Sequence, residues 1–130
     1  DDMMSAQSRE NMMVASYLGG SAIATSYVGV VHPFSAGLSV VLGIHHCVAN
    51  CITMRAMQEF YPLPFDEFWA AVEKQKVVVP EGVARNLSDD QYKALYDSTV
   101  IHAKPLTNAL GPDFLNTLTF DKVVELFKKM

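Results

Sequence analysis

The stretch GVVHPFSAGLSVVLGIHHCVAN, residues 29–50, decides how this chain folds. It contains three of the four histidines, and it lies inside a run from Asn11 to Met54 that has no Asp, Glu, Lys or Arg. A run this apolar predicts helices from the interior of a helical domain. Each imidazole buried there needs a hydrogen-bond or metal partner, so His32, His45 and His46 are the first candidates for a functional site.

His32 and His46 lie 14 residues apart, and this spacing predicts that the chain folds back between them. On one straight α-helix that spacing corresponds to roughly 21 Å, because each residue adds 1.5 Å. A metal ion holds imidazole nitrogens at about 2.0–2.1 Å, so one straight helix could not supply both ligands. We expect Pro33 to kink a helix near His32, and Gly37 and Gly43 to help the chain turn back. Two histidines from adjacent helices could then converge on one ion.

Two other interpretations of these histidines stay open at this point. A histidine in an apolar helix is most often a core residue whose ring is hydrogen-bonded to a carbonyl. Alternatively, His45 or His46 could hold a structural zinc together with Cys47 and Cys51, which share a helix face at i and i+4. The chain lacks the second pair of closely spaced cysteines that such sites normally have. Two buried thiols in a reducing compartment are the simpler interpretation.

The rest of the chain predicts further helices and almost no strands, so the fold class is all-α. Residues 104–118 contain Pro105, Gly111 and Pro112 and predict a loop with short helical turns. His102 lies just before this loop, which indicates a position at a helix end. The first predicted helices cover residues 5–31, with a continuation beyond Pro33, residues 46–60 and residues 65–76. A further helix begins at Ser88, with Gln91 as its capping-box partner, and Thr119 caps the last helix.

Composition excludes several classes of function. The 130 residues are 50% apolar and 18% charged, with a net charge of −4 and no basic block, so nucleic-acid binding is disfavoured.

Ser, Thr, Asn, His, Gly and Pro33 interrupt the uncharged run, and no Lys/Arg cluster flanks it, so we expect no membrane span. The start DDMM is acidic and has no initiator Met, which predicts no signal peptide and a piece of a longer cytoplasmic protein.

The pattern around the histidines resembles the iron-containing (group III) alcohol dehydrogenase family, which carries two metal-binding histidines in an H-x13-H-x-x-A-N arrangement. Here His32 is followed by PFSAGLSVVLGIH and then by His46-Cys47-Val48-Ala49-Asn50. The preceding helix, MMVASYLGGSAIATSYVGVV, is similar to the family's helix before the first histidine. The stretch SAGLSVVLGIHHCVANC resembles a sugar-acid-oxidising branch, typified by 3-deoxy-α-D-manno-octulosonate 8-oxidase. The resemblance is strong over residues 12–60.

This resemblance implies a fold and a site. The fold would be the helical C-terminal domain, of dehydroquinate synthase-like architecture, in a two-domain enzyme. Residues 1–130 would form a partial metal-binding domain, without the N-terminal Rossmann-like nucleotide-binding domain. His32 and His46 would be two of four ligands to Fe²⁺ or Zn²⁺, each with its second nitrogen hydrogen-bonded. The Asp and His that complete the set, four residues apart in relatives, have no counterpart here.

Two departures from the family pattern concern the surroundings of the ion. Many relatives have another histidine four residues after the first ligand, where this chain has Ala36. Many have Pro-His-Gly around the second ligand, where this chain has His45-His46-Cys47. His45 is therefore a candidate residue of the cleft, and the sequence names no catalytic residue.

The resemblance implies an enzyme that transfers hydride between an alcohol and NAD or NADP, with a sugar acid such as 3-deoxy-octulosonate as one candidate substrate. Its partners would be a small alcohol or aldehyde, the N-terminal domain and, as a candidate assembly, a second copy in a homodimer. The piece alone would be inactive. The competing hypothesis is a non-catalytic helical interaction module, which predicts histidines bonded to internal carbonyls and a self-contained core.

Overall fold

A computed structural model describes residue 2 and residues 4–130 of the chain. These residues form eight α-helices and one 3₁₀ turn, with no strand among them, so the predicted all-α class is confirmed. The elements are α1 (Ala6–Ser26), α2 (Val31–Leu42), α3 (His46–Thr53), the 3₁₀ turn (Met54–Ala56), α4 (Pro62–Gln75), α5 (Asp89–Val100), α6 (Ala103–Leu110), α7 (Phe114–Thr117) and α8 (Phe120–Lys128).

Helix α1 has no residue buried against the rest of the described chain. Its N-terminus is capped by the Ser5 hydroxyl, which accepts a hydrogen bond from the Ser8 N–H. Large apolar side chains project from it into the open, among them Met13, Tyr17 and Leu18. A helix of this composition normally needs tertiary packing for stability, and the described residues do not provide it.

The break between α1 and α2 lies earlier than the sequence predicted. Helix α1 ends at Ser26, Tyr27 has a positive φ of 62°, and the two helices meet at an angle of 104°. Pro33 is the third residue of α2, where its missing N–H removes no hydrogen bond because the first four N–H groups of a helix have no internal partner. The helix predicted over residues 5–31 is therefore confirmed over Ala6–Ser26 but ends five residues early, and the kink predicted at Pro33 was wrong.

Within the described residues, no single helix is both long and apolar enough to cross a bilayer. Helices α1 and α2 reach the required length and composition only when taken together, across the 104° bend.

Helices α2 and α5 cross at the centre of the core. Gly37 of α2 lies at the crossing: a Cβ added there would lie 3.2 Å from Thr99 Oγ1 and 3.4 Å from both the Leu95 carbonyl oxygen and the Phe127 ring. Glycine is required because the two backbones approach so closely, and not because the chain folds back there as predicted. The fully buried side chains that surround this crossing include Phe34, Leu38, Ile52, Met57, Leu95, Leu106, Leu118, Leu126 and Phe127.

The fold-back between the two histidines occurs at Gly43 alone. Gly43 has a φ of 68°, a left-handed conformation that suits glycine, and its N–H donates to the Ser39 carbonyl at the end of α2. Helix α3 begins three residues later, at His46. The prediction of a helical end at Gly43 is confirmed, whereas the helix predicted over residues 46–60 is shorter and continues only as the 3₁₀ turn.

The later helix starts follow local rules that the sequence shows. Ser88 and Gln91 form the predicted capping box at α5, and the Thr119 hydroxyl accepts a hydrogen bond from the Lys122 N–H at the start of α8. The helix predicted over residues 65–76 begins earlier, at Pro62, since proline is tolerated in the first turn. The segment predicted as a loop, residues 104–118, is mostly helical, with α6 and α7.

Arg55 fixes the extended segment between α4 and α5 to the 3₁₀ turn. Its guanidinium donates to the carbonyl oxygens of Val79 at 2.7 Å and Pro80 at 3.0 Å, and lies 4.9 Å from the centre of the Trp69 ring. These contacts join the 3₁₀ turn to Trp69 of α4 and to the segment that follows α4.

Candidate metal centre

The fold brings His32 and His46 side by side. His32 is the second residue of α2 and His46 is the first residue of α3, and the turn at Gly43 places the start of one helix beside the start of the other. The two ring centroids are 5.0 Å apart, with the ring planes at 79° to each other. Both residues are partly buried.

This separation fits two imidazoles that bind the same ion. With bonds of about 2.0–2.1 Å from nitrogen to metal, two rings at a tetrahedral or octahedral angle have centroids roughly 5 Å apart. Imidazole is also a common ligand for iron and zinc. The pair therefore fits one half of a four-ligand metal site, and the assignment of His32 and His46 as ligands stays a prediction.

A third imidazole, that of His102, reaches the same place from a distant part of the chain. Its ring centroid lies 5.6 Å from that of His32, with the planes at 74°. His102 stands at the N-cap of α6, so it does lie at a helix end as predicted. Its proximity to His32 was missed, because no local pattern links residue 102 to residue 32; only the crossing of α2 and α5 brings them together.

The electrostatics of the cluster favour a neutral His32. Partial burial lowers the pKa of His32 below its ordinary value, and the positive charges that His46 and His102 would carry when protonated lower this pKa further. A metal ligand must be the neutral imidazole. The lowered pKa thus keeps His32 in the form that binds metal over a wider range of pH.

His45 lies apart from these three rings. It is exposed and occupies the N-cap of α3, where its side chain makes no capping hydrogen bond. Its prediction as a cleft residue stays untested, because the second wall of a cleft is not among the described residues.

The alternative zinc site is not formed. Cys47 is exposed and Cys51 only partly buried, so the expectation of two buried thiols was wrong; both thiols are free. Across residue 2 and residues 4–130, no three His, Cys, Asp or Glu side chains are placed so that they could hold one ion.

The histidines also differ from ordinary core histidines. Within the part of the chain that the structure describes, none of their side chains is hydrogen-bonded to a carbonyl or to any other protein group. The pattern expected of an interaction module, with rings bonded to internal carbonyls, is thus not observed there. Neither are the hydrogen-bond partners that the resemblance implied for the second nitrogens of His32 and His46.

The sequence also matches the model of a known protein family. Residues 1–94 match the family model described as Fe-containing alcohol dehydrogenase family, C-terminal. The matched range includes His32, His45 and His46 and ends before His102.

Proposed function

This chain belongs to the Fe-containing alcohol dehydrogenase family, and we propose that it supplies half of the metal site of an enzyme that transfers hydride between an alcohol and NAD(P). Family membership indicates an alcohol dehydrogenase type of function and iron as the metal of the complete enzyme. The observation that supports the proposal is the pairing of His32 and His46, whose rings lie 5.0 Å apart on the first turns of two different helices.

In this proposal His32 and His46 hold the ion, Fe²⁺ or Zn²⁺, through one neutral nitrogen each. A bound divalent ion supplies Lewis acidity, which polarises a carbonyl oxygen or lowers the pKa of an alcohol. The contribution of this chain is geometric and electrostatic. Gly43 sets the angle between the two helices, and the partial burial of His32 disfavours the protonated imidazole, which could not bind the ion.

The remaining parts of the enzyme would come from outside the described half-site. We propose that an N-terminal Rossmann-like domain in the same polypeptide binds the nicotinamide cofactor, and that the missing metal ligands come from elsewhere in that polypeptide. The exposure of α1 supports the presence of such a domain, because no residue of α1 is buried by the described part of the chain. The substrate would be a small alcohol or aldehyde, with a sugar acid as the first to test, in a cytoplasmic enzyme that is a candidate homodimer.

Metal analysis with a dehydrogenase assay on the full-length polypeptide that contains this chain tests the proposal. We expect His32→Ala and His46→Ala each to lose bound iron or zinc together with alcohol-dependent reduction of NAD(P). Gln75→Ala, an exposed position at the end of α4, serves as the control and should keep both properties. Metal and activity that persist in both histidine variants would refute the ligand assignment. A full-length protein that binds no metal and oxidises no alcohol would instead favour the interaction module.

A further inference from the structure

We propose that His102 is a positioning residue of this metal centre: its ring packs edge-to-face on His32 and holds that imidazole in the orientation that binds the ion. The inference rests on the proposed function, because it assumes that His32 is a ligand. It adds a residue that no sequence pattern assigned and that lies outside the range matched to the family.

The contact itself is a ring contact. The centroids of His32 and His102 are 5.6 Å apart and the planes meet at 74°, a T-shaped arrangement within the 4.5–7 Å range in which aromatic rings attract each other. His32 also contacts His46, at 5.0 Å and 79°. His32 therefore contacts two imidazoles, and rotation of its ring would disturb both contacts.

The backbone of His102 is fixed well enough to support this role. Its N–H donates to the Thr99 carbonyl at 3.3 Å, and its own carbonyl accepts from the Leu106 N–H at 3.3 Å. Leu106 is fully buried. The turn from α5 into α6 is thus bonded on both sides of His102.

The same turn is rigidly connected to the helix that carries His32. Thr99 is fully buried in α5, its hydroxyl donates to the Leu95 carbonyl at 2.8 Å, and its Oγ1 lies against Gly37 of α2. His102 follows three residues after this contact. The distance between His32 and His102 therefore depends on how closely α2 and α5 pack at Gly37 and Thr99.

A direct bond from His102 to the ion is not the role that the geometry supports. Within the described residues, the three imidazoles are not placed so that all of them could hold one ion. A side chain that contacts a ligand without binding the metal still matters, because an edge-to-face pair of rings is worth about 0.5–1.5 kcal/mol, which corresponds to about a 2–12-fold change in affinity.

The test is the Zn²⁺ affinity of the full-length polypeptide, measured by competition with a chromogenic chelator, so that the readout does not depend on activity. We expect His102→Ala to bind Zn²⁺ about 2–12-fold more weakly than the wild type, the range that the loss of one edge-to-face ring contact corresponds to. His102→Phe keeps a ring against His32 and should recover most of the affinity. His102→Gln has a hydrogen-bonding group but no ring and should remain as weak as His102→Ala. Gln75→Ala is again the control.

The Co²⁺-substituted protein adds a spectroscopic readout. The visible absorption of bound Co²⁺ reports the ligand geometry, so His102→Gln should change this spectrum while His102→Phe keeps it close to that of the wild type. A merely structural role in α6 would leave the spectrum unchanged in both. Should His102→Ala fail to fold, as judged by circular dichroism, the pair of His102→Phe and His102→Gln carries the comparison alone.

Three results would overturn the inference. The first is wild-type affinity in His102→Ala and His102→Gln, and the second is equal weakness in the Phe and Gln variants. The third is complete metal loss in every His102 variant, as in His32→Ala, which would make His102 a ligand. Wild-type affinity in His32→Ala would instead refute the proposed metal centre itself, so the two failures can be told apart.

Discussion

Replacement of Gly37 by alanine should destabilise the fold, although the same replacement stabilises most helices. Gly37 lies inside α2, and glycine in a helix interior costs about 0.5–1 kcal/mol relative to alanine. At an open helical site, Gly→Ala would therefore raise the free energy of unfolding by that amount. At Gly37 the new Cβ would lie 3.2 Å from Thr99 Oγ1, which is closer than ordinary van der Waals contact, and 3.4 Å from the Leu95 carbonyl oxygen, at the lower limit of such contact.

The neighbours of Gly37 have little freedom to move aside. The Leu95 oxygen belongs to the backbone of α5, and the Thr99 hydroxyl is already hydrogen-bonded to it at 2.8 Å. Overpacking of this kind costs about 1–3 kcal/mol. After subtraction of the gain in helix propensity, we expect Gly37→Ala to lower the free energy of unfolding by about 1 kcal/mol. The added methyl group should also push α5 away from α2. His102 follows directly after α5, so this displacement should weaken metal binding by the full-length protein.

Urea unfolding followed by far-UV circular dichroism measures the change, with an unchanged m value as the check that the transition stays comparable. Gly19→Ala is the matched control. Gly19 is also inside a helix, α1, but nothing lies within 4 Å of the Cβ that would be added there. This control should be neutral or stabilising by up to about 1 kcal/mol. If Gly37→Ala stabilises the chain as much as Gly19→Ala does, the argument from the close crossing is wrong.

Three further predictions concern the core, a helix cap and pH. Phe127→Ala should lower the free energy of unfolding by about 3–5 kcal/mol, because Phe127 is fully buried with its ring 5.1 Å from that of Phe34; a loss below 1 kcal/mol in urea unfolding would contradict this. Ser88→Ala removes the capping box with Gln91 and should cost about 1 kcal/mol, seen as a lower urea midpoint. Folding lowers the pKa of His32, so as the pH falls through the ordinary pKa of histidine the unfolded chain binds more protons than the folded chain does. The free energy of unfolding should therefore fall as the pH drops from about 7 to about 5. His32→Asn should show a smaller fall, and an identical pH profile would count against this assignment.

The sequence predicted well those features that short-range chemistry controls. The ends and starts at Gly43, Ser88 and Thr119 follow from a left-handed glycine and from hydroxyl caps, which act within four residues. Pro33 was misread because a proline after an apolar helical run suggests a kink, whereas the third position of a new helix also accepts proline at no cost in hydrogen bonds. The break instead falls at residues 27–30, where a positive φ at Tyr27 ends α1.

The site was predictable in part for the same reason. Only 14 residues separate His32 from His46, so a single turn of the chain brings the two residues together, and this spacing predicted the turn. His102 approaches from the far end of α5, and its position depends on the crossing at Gly37. A sequence pattern contains no signal for a contact of this kind, because many helix arrangements agree with the same local pattern.

Charge explains why this half-site would hold an ion only weakly by itself. His32 and His46 would bind as neutral imidazoles, so they place no negative charge beside a divalent cation. Placing an uncompensated charge in a partly buried pocket is costly, and no third His, Cys, Asp or Glu within the described residues joins the pair in holding an ion. An anionic ligand from another part of the enzyme would both complete the shell and neutralise the ion. The crossing of α2 and α5, which positions His32 and His102, would then provide one side of the metal site, and the anionic ligand would complete it from the other side.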